Sequence, residues 1–76
     1  AEVDPERAER LSSVLDGFIR TLDADTRLIF IRRYFYGDSV GDISKLTGIG
    51  ENGIYARLFR ARKRLKKLLM KEGFDI

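Results

Sequence analysis

Asn52, Ala56, Phe59 and Lys63 recur at intervals of four, three and four, with Arg60 beside them. On a helix, at about 100° per residue, that spacing places them on one face, with Lys67 beyond. The opposite face collects Ile54, Leu58, Ala61, Leu65, Leu68 and Leu69, an apolar stripe fit for a core. Tyr55, Arg62 and Lys66 flank one edge of the charged face; Arg57 and Arg64 flank the other. The chemistry of such a face is recognition. Arginine grips guanine O6 and N7 bidentately, asparagine reads adenine, and phenylalanine packs on a thymine methyl. Asn52, Ala56, Phe59 and Arg60 therefore point where base edges would be. Arg57, Arg62, Lys63 and Arg64 suit phosphates, which set register but not sequence. Lys66, Lys67 and Lys71 lie farther along and add to the field.

Phe59 is the informative residue, because it stands at the centre of a charged face. It either covers the edge of the core, packs on another copy of the chain, or touches a base. The charge distribution favours the last. From Ala1 to Asp25, seven acidic and three basic residues balance to −4; from Glu51 to Glu72, eight basic and two acidic balance to +6. A solvated helix face is the bland explanation of a charge run. One sign of charge on one element points instead to a polyanion partner.

Other functions lack their residues. The chain has no cysteine and no histidine, which excludes disulfides and the usual zinc sets and removes the commonest general base. No nucleophile–base pair, metal set or phosphate loop is legible, so no catalytic residue, metal or cofactor is expected. No apolar run approaches the roughly 18 residues of a membrane span, and no basic-then-apolar leader opens the chain. A reducing, cytoplasmic setting is expected. The 76 residues make one domain. The chain begins at Ala1 rather than Met and is expected to be a piece of a longer protein.

Four helices are expected to position the charged face. Asp4-Pro5-Glu6 starts the first, over about 5–21, with Ala8, Leu11, Val14, Leu15, Phe18, Ile19 and Leu22 as its stripe. Asp23 caps the second, about 24–36, whose stripe is Leu28, Ile31, Tyr34 and Phe35, widened by Ile29 and Phe30. Gly37 stops it. Ser39 with Asp42 opens a short third helix, about 40–47, with Val40, Ile43 and Leu46 inward and Gly48 at its end. Ser44 supplies the small residue needed where two helices come closest, and Ile49 plugs the corner between them. The last helix, about 51–72, starts weakly at Gly50 and Gly53 and stops at Gly73. The fold class is all-α, a four-helix helix-turn-helix domain with a long basic C-terminal recognition helix.

These residues resemble a known family. Leu22…Thr26-Arg27-Leu28-Ile29-Phe30, Arg33-Tyr34-Phe35-Tyr36-Gly37-Asp38-Ser39, Asp42-Ile43-Ser44-Lys45-Leu46-Thr47-Gly48-Ile49 and Glu51 to Leu65, ending Arg60-Ala61-Arg62-Lys63-Arg64-Leu65, form one ordered set. In order and spacing it is similar to the fourth, C-terminal region of bacterial RNA polymerase sigma factors, especially the extracytoplasmic-function group. The resemblance covers about Val14 to Leu69. It implies recognition of the −35 element of double-stranded promoter DNA, with Asn52, Tyr55, Ala56, Phe59 and Arg60 near bases. It also implies that a groove of the first two helices takes the flap-tip helix of the RNA polymerase β subunit. Anti-sigma proteins commonly compete for such surfaces. The chain departs from the family at Gly50 and Gly53, where serine and threonine are usual, and at Gly41 and Ser44. The region that melts the −10 element is not in these 76 residues, so the chain alone is not expected to start transcription.

Two other readings stay open. A response-regulator output domain shares the four-helix layout, but it would dimerise through a last helix that here ends in Arg64, Lys66, Lys67 and Lys71. Those charges favour a monomer. A protein-interaction module, binding the polymerase or an anti-sigma factor without useful DNA affinity, is the third.

Overall fold

The structure is a computed structural model and describes residues 4–74. Its four helices are α1 (Pro5–Thr21), α2 (Ala24–Tyr34), α3 (Val40–Thr47) and α4 (Glu51–Lys71), and no strand occurs among the described residues. The first three starts are fixed by side chains. Asp4 accepts the Glu6 N–H at 3.0 Å, with Pro5 at the first helical position. Asp23 accepts the Thr26 N–H at 3.2 Å, and the Ser39 hydroxyl accepts the Asp42 N–H at 3.1 Å. Each satisfies a donor that the helix itself leaves unpaired. α4 starts at Gly50 without a side-chain cap.

The ends differ slightly from expectation. α2 stops at Tyr34 rather than Tyr36 because its last bonds widen. The Tyr36 N–H reaches the Ile31 carbonyl and the Asp38 N–H reaches that of Arg32. Arg32 draws the chain this way: its Nε lies 2.6 Å from the Asp38 carboxylate and its guanidinium 4.4 Å from the Tyr36 ring centroid. α4 stops at Lys71, one residue short of the expected Glu72. Gly73, at φ 86°, lets its own N–H return to Met70 and the Phe74 N–H return to Leu69. This is the paired closure that left-handed glycine allows at a helix end.

Ile29, Ile43 and Ile54 are fully buried, one each from α2, α3 and α4. Phe18 and Leu22 join them at the end of α1, with Phe30, Val40, Leu58 and Ala61 completing the cluster. Phe18 and Phe30 meet edge to face at 5.8 Å, the geometry the ring quadrupoles prefer.

Inward assignments on three helices are corrected. On α1, Ala8 is exposed, Leu11, Val14, Leu15 and Ile19 are half-buried, and Phe18 is the buried residue. On α2, Leu28, Tyr34 and Phe35 are exposed and Ile31 is half-buried, whereas Thr26, Ile29 and Phe30 are buried. The helix carries two apolar arcs on opposite sides, and only one can face α3 and α4. On α3, Leu46 is 58% exposed. Ser44 and Thr47 are the half-buried residues of that last turn.

Arg27 joins α1 to α2 from within. Its Nε donates to the Ile19 carbonyl at 3.2 Å, and its Nη2 donates to those of Arg20 and Leu22 at 3.1 and 2.8 Å. Carbonyls at a helix end lack helical donors, so one guanidinium closes the end of α1. Arg27→Gln is expected to cost about 1.5–3 kcal/mol, read as a lower urea midpoint with unchanged slope. Arg20→Gln, on the exposed surface, should stay within about 0.5 kcal/mol.

At its other end α1 meets the residues beyond α4. Phe74 is buried beneath Arg7 and Arg10, whose guanidinium carbons lie 4.9 and 5.1 Å from its ring centroid. Arg10 also donates to the Glu72 carbonyl at 2.8 Å.

Candidate nucleic-acid interface

The turn between α3 and α4 is held by short local bonds. Gly48 takes the left-handed conformation, φ 75°, and its N–H returns to the Ser44 carbonyl at 2.8 Å. The Ser44 hydroxyl donates to the Ile49 carbonyl at 2.7 Å. The Thr47 hydroxyl donates to the Ile43 carbonyl at 2.8 Å and accepts the Ile49 N–H at 3.2 Å. Ser44 is therefore more than a small spacer. Gly53 also has a packing reason: a Cβ there would lie 3.2 Å from Ile49 Cγ2. Ile49 fills the corner because the facing residue has no side chain.

This turn fixes which way α4 rolls. Ile54, Leu58, Ala61 and Leu69 go into the core. Asn52, Tyr55, Ala56, Phe59, Arg60 and Lys63 face solvent. Tyr55 and Phe59, one turn apart, are 56% and 59% exposed. Phe59 does not fold back over the core. Leu46 of α3 is likewise exposed, at 58%.

The cationic residues assigned to phosphates sit in different surroundings. Lys63 stands exposed on the open face. Arg57 Nη1 lies 3.3 Å from Asp23 Oδ2 and donates to the Thr26 hydroxyl at 3.0 Å. Arg62 Nη1 donates to the Tyr34 hydroxyl at 3.2 Å, and the Arg64 guanidinium lies 5.8 Å from the Phe18 ring centroid. Arg57 and Arg62 thus tie α4 to the two ends of α2. The sequence held no local signal for either tie, since the partners are 34 and 28 residues apart. The Thr26 hydroxyl, its N–H and the Arg57 guanidinium together hold the Asp23 carboxyl below its ordinary range. The stability this contributes is present at neutral pH and is lost as the pH falls through that lowered value.

A helix-turn-helix whose second helix buries one face and offers arginine, asparagine and aromatic residues on the other has the layout of a major-groove reader. Comparison with known families agrees. The model of the family described as Sigma-70, region 4 matches residues 13–65. The chain belongs to the sigma-70 region 4 family. A search of curated proteins finds no match. Region 4 of sigma-70 factors is a DNA-binding, non-enzymatic domain that serves promoter recognition in transcription initiation and interacts with RNA polymerase. In this region 4 domain, no helix among the described residues is long and apolar enough to cross a membrane.

A second surface lies away from α4. Asp16, Ile19, Ile31, Phe35 and Tyr36 line an open groove of about 340 Å³ between α1 and α2. Ile31 and Phe35, from the α2 arc outside the core, form part of its wall with Tyr36.

Proposed function

We propose that this region 4 domain reads the −35 element of a promoter as part of a sigma factor of the extracytoplasmic-function type, acting in the cytoplasm as a monomer. The exposed Tyr55–Phe59 pair, set among Asn52, Ala56 and Arg60 on the one open face of α4, carries this reading. Apolar rings kept in water beside arginines need a partner that offers both methyl groups and anions, which a DNA major groove does. Arg57, Arg62, Lys63 and Arg64 supply phosphate contacts around that face. The groove between α1 and α2 is the seat proposed for the polymerase β flap, and an anti-sigma factor would compete there. Its apolar wall, with Phe35 63% and Tyr36 65% exposed, supports this.

A binding titration of the full chain against duplexes with an intact or a scrambled −35 element tests the reading. Preference for the intact element is expected, and equal binding contradicts it. Lys63→Ala is expected to weaken binding to both duplexes alike and to reduce the slope of log affinity against log salt by about 1. Selective loss on the intact element would instead make Lys63 a base contact.

A further inference from the structure

Between α2 and α4 lies a smaller cleft of about 220 Å³, lined by Asp23, Thr26, Arg57, Arg60 and Arg64 among others. Three arginines and one aspartate line it, a formal balance of +2. The arginines stand at intervals of three and four along α4, on the edge that joins the exposed face to the body. An anion already occupies part of this cleft. Asp23 Oδ2 accepts the Thr26 N–H at 3.2 Å and pairs with Arg57 Nη1 at 3.3 Å. Guanidinium and backbone N–H groups are the donors that also hold phosphate oxygens. The pair is wet, with side chains 31% and 64% exposed, so another anion can reach it and water screens it.

We propose that this cleft seats one backbone phosphate of bound DNA, and that Asp23 is the internal anion which that phosphate displaces from Arg57. Asp23 thereby restrains the affinity of the domain for DNA. The proposal rests on α4 binding DNA, but not on which bases it reads. Arg60 lies where the cleft meets the open face, so the seated phosphate also fixes the side chain assigned to a base.

The test is DNA binding by full chains carrying Asp23→Asn or Asp23→Ser. Both replacements remain good helix caps, so the start of α2 is kept and the charge is removed. Each variant is expected to bind promoter and scrambled duplexes about two- to fivefold more tightly at low salt. Adding Arg57→Gln should abolish the gain. Unchanged or weaker binding by both variants overturns the proposal, and weaker binding with a lowered melting temperature makes Asp23 a structural clamp alone. If the wild type binds both duplexes equally, base reading fails while the charge effect still decides on the cleft. If no form binds either duplex, both readings fall.

Discussion

Ile54→Ala is expected to remove about 2–5 kcal/mol of stability. Ile54 is fully buried and is the first apolar residue of α4. It shares one core cluster with Ile29 of α2 and Ile43 of α3. Deleting its outer carbons takes away their burial and leaves a cavity where three helices meet. A domain of this size holds about 4–11 kcal/mol in all, so the loss consumes a large part of it. The melting temperature should fall by about 8 °C or more. DNA binding should suffer with it. The first turn of α4 has no side-chain cap at Gly50, so burial of Ile54 is what anchors the end of the helix that carries Asn52 and Tyr55. Asn52→Ala, on the exposed side of the same turn, should change stability by no more than about 0.5 kcal/mol. A loss below 1 kcal/mol for Ile54→Ala, read by urea denaturation, would show that the start of α4 is anchored elsewhere.

Arg60→Ala is expected to cost about 1–3 kcal/mol of binding to the preferred promoter element and far less on a scrambled one. A bidentate grip on a guanine edge is lost with the guanidinium, and no other base presents the same pair of acceptors. The neighbouring Arg57 cannot take over, because its guanidinium lies on the α2 side, held by the Thr26 hydroxyl and by Asp23 or the phosphate that replaces it. Arg60→Lys should recover charge but not the fork, and therefore salt dependence but not discrimination. An equal loss on both duplexes would move Arg60 to the phosphate group of contacts.

The parts of this fold that local chemistry determines were legible in the sequence. Asp4, Asp23 and Ser39 announce helix starts because a short polar side chain satisfies a nearby N–H, whatever the tertiary context. The roll of α4 was legible because its apolar and charged faces are cleanly separated. α2 was not, because apolar residues lie on both sides of it and periodicity cannot say which side meets the core. Leu28, Tyr34 and Phe35 were expected inward and are exposed, and of that arc Ile31 and Phe35 line the α1–α2 groove. Leu46 misled for a related reason, since a short helix needs few inward residues. Nothing local marks Arg27, Arg57 or Phe74, whose partners depend on how the helices pack. At the candidate interface, periodicity put Asn52, Ala56, Phe59 and Arg60 on one face with Tyr55 at its edge, and all five are exposed. It did not show that Arg57 and Arg62 are partly engaged by α2.

The central claim is that the open face of α4 distinguishes bases. Its most direct measurement is the affinity of the wild-type full chain and of Arg60→Ala for −35 duplexes substituted one base pair at a time, at a single salt concentration. The wild type should discriminate at several positions, and Arg60→Ala should lose discrimination at one guanine while keeping the rest. Uniform wild-type affinity across the substituted duplexes would contradict the claim.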